Sequence, residues 1–468
     1  MRNNLIIFTF FLFIQNLSLL AQSSALDWSD FRTQIIQFHP TAQRAMLFTQ
    51  NADAALLMAK GGFDVKTYAN YESKYFNQKN YFSQLDAGLK LPTWIGLEVK
   101  TGYQYADGVF LNPESRLPSS GQAYLGLNWS LGQGLMTDER RTTLFVARAG
   151  IEMGEAERNI LMNELLYEAA KTYWNWAFCD NQVRIMTDAL KQALLRHNAL
   201  KESFLQGEKP AMDTLETFIQ IQNRQIDLNF ARIELQNANL QLSALLWTEN
   251  NRPSPLPLPA APPFPPTAPL QSLAAVDEIV SQAQQQHPEL VLYHVKARQL
   301  LSMQRLKKEK KKPVLDVSYS LLGSGWQFFP TPTERGPGVF ANDIKWGVNF
   351  SMPVSNRKAR GDWQMGQIKL DQNELVIRQK TIDIENKVRQ YSNDLNNLNA
   401  QVDLYRSVTD NYKKLLDAEN EKFMQGESSV FLVNTREQRW IDAQLKLAKL
   451  TAEYQKSAAG LLWSSGKW

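Results

Sequence analysis

The sequence has little of several residue types on which common functions depend. It contains one cysteine and four histidines in 468 residues. A single cysteine excludes an intramolecular disulfide, a zinc cluster and a CxxC redox motif. The sequence also shows no nucleophile triad, phosphate-binding loop or cluster of metal ligands. We therefore expect no enzyme activity, no cofactor and no metal site, and we expect Cys179 to be a small core residue.

The sequence also lacks a strong excess of positive or negative charge, and it has few long apolar runs. The 51 Lys and Arg residues nearly balance the 47 Asp and Glu residues, which argues against a nucleic-acid-binding surface. After the N-terminus, no segment approaches the length of a membrane-spanning helix, about 20 apolar residues. We expect that this protein crosses a membrane, if it does so, with strands.

The N-terminal residues 1–21 are typical of a secretory signal peptide. Arg2 precedes an apolar stretch at Leu5–Ile14, and Leu19-Leu20-Ala21 is an acceptable cleavage site. An uncleaved anchor helix is the alternative. Gln15 and Asn16 interrupt the apolar run and favour cleavage. We therefore expect an exported protein.

Five landmarks recur in the same order in the two halves of the chain, which indicates a duplication. They are His39-Pro40 and His287-Pro288, Asp64-Val65 and Asp316-Val317, GLNWSL at 126–131 and GVNFSM at 347–352, FLQGE at 204–208 and FMQGE at 423–427, and ALLW at 244–247 and GLLW at 460–463. A segment dense in proline lies between the halves and is typical of an extended linker. We predict a first repeat at 22–250, a linker at 251–270 and a second repeat at 271–468.

Each repeat is predicted to contain a short helix, strands, a long helix and a second short helix. The helices are expected near 27–60, 138–206, 212–247, 275–312, 355–425 and 429–463. Apolar residues in the long helices follow the spacing of four and three that is typical of a coiled coil: Leu166, Ala169, Tyr173, Trp176, Val183, Leu190 and Leu194, then Tyr391, Leu395, Leu398, Val402, Tyr405 and Tyr412. A long helix of about 70 residues spans roughly 100 Å. A compact bundle is the alternative, and the length of the helices favours an elongated coiled-coil wall.

Six segments alternate between apolar and polar residues, and their length is near that of a tilted transmembrane strand. They lie at 63–75, 85–91, 95–103, 125–131, 315–321 and 344–352. A soluble β-domain alternates equally well. Four to six strands cannot close a pore, and open sheet edges are costly in lipid, so several copies are expected to share one barrel. The residues predicted to face lipid are Leu125, Leu127, Trp129, Ile344, Trp346, Val348 and Phe350, whereas Lys345, Gly347, Asn349 and Ser351 would face a water-filled lumen.

The chain resembles the TolC-like outer-membrane efflux protein family over essentially the whole mature sequence. The resemblance is carried by the two strand ends GLNWSL and GVNFSM, LGQGLMTDERR at 131–141, FLQGEKPAMDTLE at 204–216 and FMQGESSVFLVNTRE at 423–437. It implies a mainly α fold with a transmembrane β-barrel, in which a homotrimer shares the barrel and a long antiparallel coiled-coil tunnel extends into the periplasm. It also implies the outer membrane of a Gram-negative bacterium, and an exit duct for small molecules or secreted proteins that works with a periplasmic adaptor and an inner-membrane pump.

The resemblance further implies that the helical turns at 206–210 and 425–429 form the tip of the tunnel. Adaptor contacts would fall on Gln206, Gly207, Gln425 and Gly426, and the family's tip acid falls on Asp213. Glu216 lies one turn later on the same helical face and is a second gate candidate. Because the family's basic partner is missing here, Glu427 or apolar packing is expected to hold a closed gate. An ordinary acid at a helix start is the alternative for Asp213. The second repeat departs from the family where Ser428 replaces a basic residue, Phe423 replaces a tyrosine, and Leu432 and Thr435 replace acids.

The sequence leaves alternatives for the strand pair 85–103 and for the function of the whole chain. The strand pair at Leu85–Tyr103 has no counterpart in the second repeat, and it either enlarges the barrel or forms a separate soluble hairpin. The rival to the duct is a soluble periplasmic coiled-coil scaffold or adaptor, which shares the helices but does not need strands that face lipid.

Overall fold

The computed structural model of the protein describes residues 25–250, 252–254, 261, 263–265, 267, 273–325 and 343–468. The predicted signal peptide and most of the Pro-rich linker lie outside the described residues. The chain forms two compact units, each built from several segments. The first, here called the strand unit, comprises Phe48–Glu157 and Glu289–Lys380. The second, here called the helix unit, comprises the described residues within Met1–Leu47, Arg158–Pro288 and Thr381–Trp468.

The strand unit contains a six-stranded antiparallel sheet in which the strands follow one another in chain order. Its strands are β1 (Lys66–Phe76), β2 (Lys79–Pro92), β3 (Leu97–Asp107), β4 (Gln122–Ser130), β5 (Val314–Ser324) and β6 (Ile344–Ser351). The first four belong to the predicted first repeat and the last two to the second. All six predicted strands are present, and the pairing of β4 with β5 joins the two repeats in one sheet.

The strand pair β2–β3 is a continuous part of this sheet, so it is not a separate hairpin. Its turn packs against other parts of the strand unit, because Trp94 stacks on Phe63 at 4.4 Å and lies under the Arg148 guanidinium. Tyr68 on β1 and Tyr124 on β4 also reach across the pair, and their hydroxyl groups hydrogen-bond to each other.

Two glycines on β2 and β3 make this tyrosine contact possible. Gly88 and Gly102 are paired across the strands between Tyr68 and Tyr124. A Cβ atom on Gly102 would lie 2.8 Å from the Tyr124 hydroxyl and 2.5 Å from a backbone oxygen. Aromatic rings that cover glycines on neighbouring strands stabilise a sheet and fix its register.

The helices have nearly the predicted bounds. They are α1 (Trp28–Phe38), α2 (Pro40–Lys60), α3 (Glu139–Leu205), α4 (Ala211–Ser243), α5 (Leu273–Gln286), α6 (Pro288–Glu309), α7 (Arg357–Met424) and α8 (Val430–Ser464). The long helices α3 and α7 contain 67 and 68 residues. None of these helices in the described part of the chain combines the length and apolar character that crossing a bilayer requires.

The two segments predicted as single helices near 27–60 and 275–312 are each broken into two. The breaks fall at His39 and His287, and each following helix begins at the proline. A residue before proline is disfavoured in the α conformation because the proline ring clashes with it. His39 has the extended values φ −69° and ψ 131° that this clash favours.

Aromatic side chains form the core of the helix unit. Tyr173 and Trp176 on α3 are buried against Phe31 on α1, and the Tyr173 hydroxyl donates to the Leu26 carbonyl at 2.7 Å. Cys179 is buried in the same cluster, as predicted, and burial raises the pKa of its thiol to about 11. The assignment of Leu194 to the coiled-coil contact was wrong, because this side chain is 41% exposed and Ala193 is buried instead.

Candidate functional site

The sheet presents an apolar face and a polar face. On the apolar face, cross-strand pairing places the side chains of β4, β5 and β6 in three rows: Leu125, Leu321 and Ile344; Leu127, Tyr319 and Trp346; and Trp129, Val317 and Val348. Phe350 continues the face opposite Leu315. All seven residues predicted to face lipid therefore lie on one face. Trp346 and Phe350 are 68% and 66% exposed.

The alternate residues form the polar face. On β5 and β6, Ser320 pairs with Lys345, Ser318 with Gly347, and Asp316 with Asn349. The pattern continues on β3, where Glu98 and Lys100 form an ion pair at 3.3 Å. Side chains on one strand alternate between the two faces, so the apolar and polar sets stay separate across the sheet.

The two predicted tip turns have the same backbone conformation in both repeats. Gly207 and Gly426 have φ values of +81° and +79°. The amide of Glu208 donates to the Ser203 carbonyl, and the amide of Glu427 donates to the Lys422 carbonyl, both at 2.9 Å. This is the hydrogen bond that closes a helix ending in a left-handed glycine. Each turn contains two of the residues predicted to contact an adaptor. All four are exposed: Gln206, Gly207, Gln425 and Gly426.

The three gate candidates occupy different surroundings. Glu216 on α4 accepts a hydrogen bond from the Asn434 side chain on α8 at 3.3 Å, so it links the two repeats. Asp213 lies in the first turn of α4, where a carboxylate suits the positive end of the helix dipole. Glu427 is exposed in its turn. The hydrogen bonds described for Asp213 and Glu427 are made by their backbones.

A buried ion pair extends the contact that Glu216 makes between the repeats. Arg196 on α3 donates from both terminal nitrogens to the carboxylate of Glu437 on α8, at 2.9 and 3.0 Å. Arg196 also donates to the Asn434 side chain at 2.9 Å. Glu437 is only 2% exposed. We call Arg196, Glu216, Asn434 and Glu437 the inter-repeat network.

A second arginine lies beside this network. Arg224 on α4 is 1% exposed, and its nearest acid is Asp227 at 3.6 Å. Burial lowers the pKa of Arg224, and the negative charges of Glu437 and Asp227 oppose this shift. A buried guanidinium with few partners is costly, and the negative charges of Glu437 and Asp227 reduce that cost.

The side-chain hydrogen bond of Ser428 is formed within the second repeat. Its hydroxyl donates to the Glu419 carboxylate at 2.5 Å, and Arg436 lies 3.5 Å from the same group. The Ser428 hydrogen bond and the Arg436 charge lower the pKa of Glu419. The substitution of serine for the basic residue expected from the family therefore leaves this turn tied to α7 through Glu419.

Of the inter-repeat network, only Glu216 was a candidate from the sequence; Arg196, Asn434 and Glu437 were missed, although a signal was present. Thr217, Ile221, Arg224, Leu228 and Ala231 on α4 are spaced by four and three, and all are buried. On α8 the same spacing runs through Val430, Asn434, Glu437 and Ile441. A polar residue at a coiled-coil contact position usually fixes a specific pairing. Arg224, Asn434 and Glu437 were therefore recognisable as candidates.

Comparison with known proteins identifies the fold. The chain matches no protein-family model and no curated protein sequence. Among solved structures it is similar to the Campylobacter jejuni outer membrane channel CmeC, with a TM-score of 0.65 and 14% identity over 95% of this chain and 89% of that one. It is also similar to the open state of the Neisseria gonorrhoeae outer membrane channel MtrE, with a TM-score of 0.66 and 14% identity over 96% and 92% of the two chains.

A third similar structure is the Vibrio cholerae outer membrane protein VceC, with a TM-score of 0.63 and 12% identity over 94% of this chain and 95% of that one. These matches span nearly the full length of each partner and include both the strands and the long helices. The described part of the chain shows no group of three or more His, Cys, Asp or Glu residues that could hold a metal ion. The chain therefore has the fold of the TolC-like outer-membrane channels.

Proposed function

We propose that this protein is the outer-membrane exit duct of a tripartite efflux or type I secretion system. The observation that carries the proposal is the sheet with one exposed apolar face and one polar face. An exposed apolar surface of this extent is unfavourable in water and typical of an interaction with lipid or another protein. In an outer-membrane barrel, the apolar face contacts lipid and the polar face lines the lumen.

Closure of the barrel requires more than one chain. Within the described residues, the sheet ends at β1 on one side and β6 on the other. Each free edge presents unpaired backbone groups, which cost several kcal/mol apiece in a bilayer. Because the six strands alternate in direction, β1 of one copy pairs antiparallel with β6 of the next.

We propose a homotrimer in which all six strands of each chain enter the barrel. Three chains of six strands give eighteen strands, which lies within the range of bacterial outer-membrane barrels. The supporting observation is that β2 and β3 are paired along their length with β1 and β4. Barrels of 16 to 18 strands leave an aqueous channel.

The helix unit would extend into the periplasm of a Gram-negative bacterium and dock there with a periplasmic adaptor, which is joined to an inner-membrane pump. The exposed turns with Gln206, Gly207, Gln425 and Gly426 are the proposed adaptor contacts. Glu216 is the gate candidate with the strongest support, since it contacts the second repeat. Asp213 is proposed from the resemblance, and Glu427 is proposed because Ser428 stands where the family has a basic residue. The duct supplies a passage for small molecules or proteins and catalyses no reaction.

A lysine substitution on each face of one strand tests the membrane assignment. Val348→Lys and Phe350→Lys place a charge on the apolar face of β6, which costs about 2–4 kcal/mol for each lysine at the bilayer midplane. Asn349→Lys places the same charge on the polar face of the same strand and is the matched control. We expect the double variant to lose outer-membrane trimers and the control to keep them, as measured by particle mass in detergent.

The opposite faces of β6 make the outcome decisive. The duct would be contradicted if the double variant and the control had the same particle mass and both were monomers that stay soluble without detergent. That result would instead favour the soluble scaffold or adaptor.

A further inference from the structure

Four lysines lie in a single row across the polar face of the sheet. Cross-strand pairing joins Lys66 on β1 to Lys90 on β2, and Lys90 to Lys100 on β3. The row continues through Gly126 and Ser320 to Lys345 on β6. We call these six residues the lysine row.

The row carries an excess of positive charge. Of the two neighbouring rows on this face, the one through Tyr68, Gly88, Gly102, Tyr124 and Leu322 is uncharged from β1 to β5 and ends at Asp343, whose carbonyl accepts a hydrogen bond from the Leu322 amide at 2.8 Å. The other contains one acid, Glu98, which pairs with Lys100 at 3.3 Å. The next acids on the face, Asp86 and Asp316, lie one row further away on either side. Within one row in either direction, four lysines therefore face two acids, Glu98 and Asp343, and an excess of positive charge remains.

Sheet stability does not account for this arrangement. Side chains that are directly paired have Cβ atoms about 4.5–5.5 Å apart, and like charges at such positions are destabilising. Lys66, Lys90 and Lys100 are three such residues on adjacent strands. Only part of the repulsion is offset, by the Tyr68 ring under the Lys90 ammonium at 4.3 Å and by Glu98.

Small residues leave space beside the lysines. Gly126 and Ser320 separate Lys100 from Lys345 and carry almost no side-chain volume. A hollow of about 420 Å³ opens there, and its lining includes Lys100, Asn128, Asn349 and one acid, Asp316. The Asp316 carboxylate accepts a hydrogen bond from the Ser130 hydroxyl at 2.6 Å. Beside the Asp316 carboxylate, an anion in this hollow would meet an ammonium group together with amide and hydroxyl donors, which are the groups that bind carboxylates and phosphates.

We propose that the lysine row forms a positive belt in the lumen that concentrates anionic solutes, so that the duct favours cargo with carboxylate or phosphate groups. This inference rests on the proposed function, because three chains bring twelve lysines (three times four) into one belt. Rings of lysine and arginine select anions in pores. The electrostatic potential of the belt decays over about one Debye length, which is ~8 Å at physiological salt.

A cysteine within the row reports the local charge without requiring the gate to be open. Ser320→Cys is prepared in the full mature chain and treated with two methanethiosulfonate reagents, one bearing a sulfonate and one a trimethylammonium group. Gln122→Cys, on the same face and two rows away, is the matched control. The parent chain gives the blank, because its single cysteine, Cys179, is buried in the helix unit.

The ratio of the two reaction rates removes any change in thiol reactivity that both reagents share. We expect the ratio of anionic to cationic reagent to be several-fold higher at Ser320→Cys than at Gln122→Cys. It should fall several-fold when Lys66, Lys90, Lys100 and Lys345 are replaced by glutamine. A variant with only Lys66→Gln and Lys345→Gln keeps two of the four lysines, and it should lower the ratio by a smaller factor than the fourfold substitution does.

Two outcomes would overturn the belt. Equal ratios at the two cysteines, or a ratio at Ser320→Cys that the glutamine variants leave unchanged, show that the lysines do not set the lumen potential. The mass of each labelled particle in detergent is measured in parallel. A monomer would overturn the proposed function, and the belt with it, whereas trimers with equal ratios would overturn the belt alone.

Discussion

At the scale of single residues, the inter-repeat network is the contact with the most specific geometry in the helix unit. Arg196 and Glu437 are separated by 241 residues in sequence and form a two-pronged, buried ion pair. Breaking a buried pair by removing one partner is strongly destabilising, because the other charge stays buried without compensation. Replacing Glu437 also removes one of the acids that offset the buried charge of Arg224.

Glu437→Gln is therefore predicted to loosen the contact of α3 and α4 with α8. We expect a loss of about 3–5 kcal/mol in the free energy of unfolding and a larger single-channel conductance in planar bilayers. Glu453→Gln on the same helix is the matched control, since it removes an ion pair with Lys456 in which the acid is exposed. Such a pair is worth at most about 1 kcal/mol. A stable Glu437→Gln trimer with unchanged conductance would rule out a gating role for the network.

The network also marks the limit of prediction from the sequence at this scale. The coiled-coil spacing indicates which residues of one helix are buried, but it does not say which helix lies opposite. The side chains of Arg196 and Glu437 meet only because two repeats pack together. The positions of Gln206, Gly207, Gln425 and Gly426 were predictable because glycine with a left-handed φ ends a helix locally.

At the scale of elements, the tip turns depend on backbone conformation alone. A Cβ atom on Gly207 or Gly426 would meet no atom within 4 Å, yet both residues have positive φ. A residue with a Cβ atom in this conformation costs roughly 1–2 kcal/mol. Gly361 in α7 is equally open but lies within a helix, where alanine is favoured over glycine by about 1 kcal/mol.

Alanine substitutions at these glycines are therefore predicted to have opposite signs. Gly207→Ala and Gly426→Ala should each lower the midpoint of heat unfolding, and Gly361→Ala should raise it. Circular dichroism of the detergent-solubilised protein measures all three. A raised midpoint for Gly207→Ala or Gly426→Ala would mean that the turn at that position is not held in the left-handed conformation.

Element bounds were largely predictable because the helices and strands have long, regular patterns. The strand pattern did not show whether β2 and β3 belong to the same sheet as β4. Alternation fixes which residues share a face, whereas pairing depends on contacts such as the one between Tyr68 and Tyr124 over two glycines. The breaks at His39 and His287 were missed because apolar spacing continues across them, although the His-Pro pairs were noted as repeat landmarks.

At the scale of the whole molecule, the central claim is that several chains share one barrel to which each contributes six strands. Strands about 4.8 Å apart and tilted by roughly 40° give a barrel about 36 Å across for eighteen strands. A barrel with four strands from each of three chains would be about 24 Å across by the same geometry. The two barrels therefore differ in the distance between equivalent residues of the three chains.

The most direct measurement is the distance between spin labels on Ser318→Cys, an exposed position on the polar face of β5, in the detergent-solubilised protein. With three chains and six strands from each, equivalent backbone positions should lie about 31 Å apart, whereas a chain that lacks residues 77–107 should give about 21 Å. A value near 21 Å for the complete chain would exclude β2 and β3 from the barrel. The absence of any distance between chains, in a particle with the mass of one chain, would contradict the shared barrel and the duct.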